Sequence, residues 1–134
     1  MLGTAVACGG NAATTTSAEP NISTDLSEAL DLADTIDVAT VASVKDREDV
    51  VVLDVREQWE YDEGHIPGVT LIPMGEVANR LSEIPTDKSV IVTCRSGNRS
   101  GQITDFLRQQ GFDNVHNMDG GILAWEAAGY DVEQ

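Results

Sequence analysis

The stretch Ser89-Val90-Ile91-Val92-Thr93-Cys94 constrains the fold more than any other part of this chain. It is rich in β-branched residues and apolar without alternation, so the strand it predicts is covered on both faces, as strands of parallel sheets are. Val50-Val51-Val52-Leu53 has the same character. Shorter strand signals fall at 35–38, 69–72 and 115–117. Between them lie segments of helical pattern at 38–45, 58–62, 75–81, 98–110 and 122–128, the last two ended by Gly111 and Gly129. This alternation over residues 35–134 predicts an α/β domain, a small parallel sheet of about five strands flanked by helices on both faces.

Ligands of parallel α/β sheets bind beyond the carboxyl ends of the strands. Asp54, Cys94 and Asp119 each follow a predicted strand and should share one rim. The chemistry belongs to Cys94, because the next residues are Arg95-Ser96-Gly97-Asn98-Arg99-Ser100. A tight loop opening a helix surrounds a thiol with backbone N–H groups, and two guanidiniums add positive charge. All of these favour thiolate over thiol. A strand-end cysteine can instead be an inert apolar filler, and it is the loop that argues for a nucleophile. Arg95 and Arg99 either orient an anionic donor and stabilise the thiolate or are solvated loop charges. Ser96 and Ser100 can bond a reacting sulfur or cap the helix, and Asn98 can do either. Gly97 is placed where a positive φ is needed.

Charge narrows the partners. With 23 acidic and 8 basic side chains in 134 residues, the formal net charge is −15. That field repels nucleic acid and anionic membranes, and no basic stripe relieves it. A small anion would be drawn to Arg95 and Arg99. Neither His65 nor His116 has Cys or carboxylate neighbours at metal-ligand spacing, so no metal and no other cofactor is expected. His65, in Gly64-His65-Ile66-Pro67-Gly68, reads as a turn residue bonded locally. Trp59 and Trp125 read as core.

Five motifs in order carry a resemblance: Asp54-Val55-Arg56 after the first apolar run, Gly64-His65-Ile66-Pro67-Gly68, Cys94-Arg95-Ser96-Gly97-Asn98-Arg99-Ser100, Gly111-Phe112, and Gly120-Gly121-Ile122-Leu123-Ala124-Trp125. Together, from about Thr35 to Gln134, they resemble the single-domain rhodanese (thiosulfate sulfurtransferase) family. The resemblance implies a rhodanese-like fold in which Cys94 takes the outer sulfur of a donor such as thiosulfate. The persulfide then passes that sulfur to cyanide or an external thiol, with residues 95–100 binding the substrate. Asp54 and Arg56 then brace a turn, with Arg56 near Glu60. A persulfide carrier or protein-binding module of the same fold is the alternative. Cysteine-dependent phosphatases and arsenate reductases place five residues between cysteine and arginine. Here four separate Cys94 from Arg99, a smaller cradle better suited to sulfur than to a tetrahedral oxyanion.

Ahead of the domain, residues 1–21 read as a signal remnant and flexible tether, rich in Gly, Ala, Thr, Ser and Asn from Gly9 to Asn21. Leu2-Gly3-Thr4-Ala5-Val6-Ala7-Cys8 resembles the end of a bacterial lipoprotein signal. Cys8 is then a candidate lipid anchor and the protein periplasmic or membrane-attached, a cytoplasmic N-terminus being the alternative. A Cys8–Cys94 disulfide is not expected, given their different contexts. An extra helix is predicted over 22–34, with Asp25 and Glu28 as a capping box and Leu26, Ala29, Leu30 and Ala33 on one face. A monomer is expected.

Overall fold

Five parallel strands build the sheet in the computed structural model, which describes residues 30–134. They are β1 (Thr35–Ile36), β2 (Val50–Asp54), β3 (Thr70–Leu71), β4 (Ser89–Thr93) and β5 (Val115–Met118), in the order β1-β5-β4-β2-β3. The two apolar runs pair along their full length, Val50 with Ser89 through Asp54 with Thr93, and β5 takes the other side of β4. The central position of β4 accounts for its composition: Val90, Ile91 and Val92 are all fully buried.

Alternation along the strands divides the core. Leu53, Val90, Val92 and Val115 join Ile103 and Leu107 of α3 (Asn98–Gln109) in one cluster, which also takes in Val77 and Ile84. Val52 and Ile91 point the other way and are also buried, on the side where α1 (Val38–Val44) meets α4 (Gly121–Ala127). A short helix α2 (Gln58–Glu63) follows β2.

Three local expectations change. The helix read over 75–81 is two 3-10 turns, Met74–Asn79 and Leu81–Glu83, in which Met74 and Val77 three residues apart face inward, matching the tighter repeat. The strand at 69–72 shrinks to two residues on the sheet edge. Residues 30–34 carry no helix. The Ala33 carbonyl accepts from His116 Nδ1 at 2.8 Å and that of Asp34 from Asn117 N–H at 2.8 Å, which commits this backbone to the sheet edge. The tether, Cys8 and the remainder of the helix over 22–34 lie outside the described residues.

Candidate active site

Cys94 lies immediately beyond the central strand, 1% exposed, at the floor of a four-residue loop that ends where α3 begins. The Gly97 N–H donates to its sulfur at 3.1 Å. Gly97 turns the chain with φ +101°, as its sequence position predicts, and a Cβ there would lie 3.1 Å from the Gly120 nitrogen. Burial pushes the Cys94 thiol up. Bonds from the Ser100 side chain and from the Ser100, Gly97 and Ser96 backbone outweigh burial, and its pKa is held below the ordinary 9.0.

Ser100, fully buried on the first turn of α3, has one hydroxyl hydrogen and two acceptors in reach. One is the sulfur, the other Asn117 Oδ1 at 2.5 Å. Asn117 sits at the register position opposite Val92 on β5, and its Nδ2 lies 3.5 Å from the Gly97 carbonyl oxygen. Asn117 was not singled out by sequence reasoning. Its only signal is that β5 carries an amide at the end facing the loop.

The two cations differ. Arg99 donates twice to the Glu60 carboxylate, at 2.8 Å from each nitrogen, and Glu60 also accepts from the Glu57 N–H at 2.9 Å in a capping box. The Arg99 guanidinium leads in holding the Glu60 carboxyl down to about 2, aided by the Glu57 N–H and opposed by burial. The two-cation spot expected at Arg95 and Arg99 is therefore reduced: Arg95 is exposed on the rim, while Arg99 ties the loop to α2. Ser96 on the loop and Asn98 at the start of α3 are exposed.

Behind the loop, Asp54 and Arg56 form a buried ion pair, with Arg56 Nη2 at 2.8 Å from Asp54 Oδ2. The same guanidinium donates to the Gly64 carbonyl at 2.8 Å and the Glu60 carbonyl at 3.3 Å. Arg56 thus braces the turn and approaches Glu60 as expected. His65 stacks on Tyr61 and bonds its carbonyl at 2.9 Å through Nδ1, as a turn residue would, and its backbone also exchanges two hydrogen bonds with Glu133, at 2.8 Å each, so its role is structural and reaches the C-terminal segment as well. Asp119 lies on the rim, exposed.

The Gly120-Gly121 pair has a definite task. Ile122 and Leu123 N–H groups donate to the Cys94 and Arg95 carbonyls at 2.9 and 3.1 Å, so α4 starts directly against the loop. A Cβ on Gly121 would overlap the Arg95 carbonyl, and φ there is +61°. Trp125 is buried, with its indole N–H on the Asp131 carbonyl at 2.7 Å. Trp59, read as core, is 62% exposed. The six-residue α2 buries only Glu60, and the neighbouring position projects into an open cleft of about 590 Å³ beside the loop. Among the described residues, no group of three or more His, Cys, Asp or Glu side chains could hold a metal, and no helix is long and apolar enough to cross a membrane.

A reactive-type cysteine cradled by N–H groups at the end of the central strand of a five-stranded parallel sheet defines the class: residues 37–128 match the model of the Rhodanese-like domain, and the chain belongs to that family. Among its relatives, a sulfurtransferase of Allochromatium vinosum is 44% identical over 87 residues, 65% of this chain and 81% of that protein. The thiosulfate sulfurtransferase GlpE of Pseudoalteromonas translucida is 39% identical over 93 residues, 69% of this chain and 89% of that one. In structure, a rhodanese-related protein from Thermoplasma volcanium matches with TM-score 0.69 and 34% identity, over 75% of this chain and 98% of that one.

Proposed function

We propose that this domain is a sulfurtransferase that takes a sulfane sulfur from an anionic donor such as thiosulfate onto Cys94 and delivers it to cyanide or an external thiol. The observation that carries the reading is the convergence of the Ser96, Gly97 and Ser100 N–H groups and the Ser100 hydroxyl on the Cys94 sulfur. These groups favour the attacking thiolate, and N–H donors of the same loop suit the negative charge of the persulfide that replaces it.

In the first half-reaction the Cys94 thiolate attacks the outer sulfur of thiosulfate. The S–S bond of the donor breaks, and sulfite leaves with the electron pair. In the second, the acceptor attacks that outer sulfur, and Cys94 leaves as thiolate. Arg95 on the rim meets the donor's charge, while Arg99, Ser96 and Asn98 shape the loop. The names of the relatives support transfer of this kind, GlpE being named for thiosulfate.

The test is intact mass after incubation with thiosulfate, then with cyanide. Gain of one sulfur atom, lost on adding cyanide and absent in Cys94→Ser, is the expected result. A free, alkylatable Cys94 that gains nothing overturns thiosulfate as donor. A persulfide that forms but is not discharged by cyanide or thiols turns the reading towards a carrier module.

The proposal extends to a monomeric domain held at a membrane through lipidated Cys8. Radiolabelled palmitate incorporated into the full chain but not into Cys8→Ser is the result expected, and unlabelled protein would exclude it.

A further inference from the structure

Two large apolar side chains stand exposed among the described residues, Trp59 at 62% and Leu123 at 44%, and both line the cleft beside the Cys94 loop. They come from different elements, α2 and α4, and Ile122, whose N–H donates to the Cys94 carbonyl, lines the same cleft. Three exposed carboxylates, Glu57, Glu63 and Glu126, line it as well. Arg95 also lines the cleft and is exposed, while the charges of Arg56 and Arg99 are met by Asp54 and Glu60. The cleft thus brings together a cation of the Cys94 loop, two exposed apolar side chains and three exposed carboxylates.

An exposed indole flanked by carboxylates suits a cationic side chain, which gains from the ring face and the acids together. The rest of the molecule reinforces this, since a net charge of −15 attracts basic partners from a distance. Small donors such as thiosulfate and small acceptors such as cyanide need none of this surface.

We propose that the Trp59–Leu123 cleft is the docking site for a basic polypeptide segment that presents a cysteine as sulfur acceptor, lysine or arginine residues flanking that cysteine resting on Trp59 and against Glu63 and Glu126. The proposal rests on the sulfurtransferase reading above. The acceptor cysteine, having lost its proton to solvent, attacks the outer sulfur of the Cys94 persulfide. The bond from that sulfur to Cys94 Sγ breaks with its electron pair returning to Cys94, and the partner leaves as a persulfide. No oxidant or reductant is consumed.

The full chain, loaded with sulfur from thiosulfate, is offered two peptides of equal length with one central cysteine, one flanked by lysines and one by glutamates, with cyanide as control. At low ionic strength the lysine peptide is expected to accept sulfur with kcat/KM at least about tenfold above the glutamate peptide. The Glu63→Gln/Glu126→Gln variant should cut that preference by about threefold or more. Trp59→Ala should raise KM for the lysine peptide by about tenfold. Discharge by cyanide should stay within about twofold of the unaltered protein throughout, which also shows that the variants are folded. Equal rates with the two peptides, or a preference that persists in both variants, overturns the proposal.

Docking is read separately from transfer by fluorescence anisotropy of a labelled lysine peptide with serine in place of cysteine. If thiosulfate loads no sulfur, thiosulfate as the donor fails and the transfer arm is not run from it. Anisotropy that rises with the unaltered protein and not with Trp59→Ala then still supports the docking site, and anisotropy that does not rise excludes it.

Discussion

The Ser100 hydroxyl is the residue-level decision point of this site, because its single hydrogen can go to Cys94 or to Asn117, the latter at 2.5 Å. Every bond that reaches the sulfur favours thiolate, and every bond that draws the hydroxyl away withholds that help. Asn117→Ala removes the competitor, so the pH of half-maximal Cys94 alkylation by iodoacetamide should fall by about 0.5 to 1. Asn117→Asp supplies a charged, stronger acceptor and a negative charge nearby, and the same midpoint should rise. A merely structural Asn117 would not give shifts of opposite sign, and unchanged midpoints in both variants would remove it from the site's chemistry. Cys94, Gly97 and Ser100 were legible in the sequence because they adjoin along the chain. Asn117 was not, and Glu60 was legible as a neighbour of Arg56 but not as the partner of Arg99, since each reaches the loop across the sheet or from another helix.

Between the elements, the loop is fastened at two points, by the α4 N–H groups on the Cys94 and Arg95 carbonyls and by the Arg99–Glu60 pair to α2. At the first, Gly121→Ala puts a methyl group into the Arg95 carbonyl and should cost about 1–3 kcal/mol of stability, with persulfide formation falling further than stability does. Denaturant unfolding beside single-turnover loading from thiosulfate checks both. At the second, Glu60 titrates at about 2 when folded and 4.5 ordinarily, so the unfolded state binds more protons between these values. Its contribution is complete above about pH 4.5 and is lost as pH falls towards 2. Thermal midpoints of Glu60→Gln should therefore lie below those of the unaltered protein at pH 6, and the two should converge as pH approaches 3; parallel curves would mean that the pair adds no such stability. The apolar runs at Val50–Leu53 and Val90–Val92 declared the central strands from sequence, because a strand buried on both faces has no other composition open to it. The 3-10 turns at Met74–Glu83 did not, since apolar residues three and four apart fit either helix until Val77 and Ile84 are seated in the core.

For the molecule as a whole, charge sets opposite rules for the two substrates proposed above. A net charge of −15 surrounds a reaction whose donor is a dianion, and only Arg95 stands exposed at the cleft to receive it. At low ionic strength the field extends well past the rim and repels thiosulfate before Arg95 is within reach; near 0.1 M the screening length is about 10 Å and the local cation decides. Loading of Cys94 by thiosulfate should therefore speed up, by about twofold or more in kcat/KM, as ionic strength rises from about 0.02 to 0.3 M. Arg95→Gln should lower that rate at every salt concentration and keep the upward slope, because it removes the receiver and leaves the field. Discharge to a lysine-flanked thiol should slope downward over the same range, being helped by the very charge that hinders the donor. Stopped-flow loading and discharge across a salt series tests both slopes on one sample. A downward slope for thiosulfate would mean that the Arg95 cation, and not the net charge, governs approach from a distance.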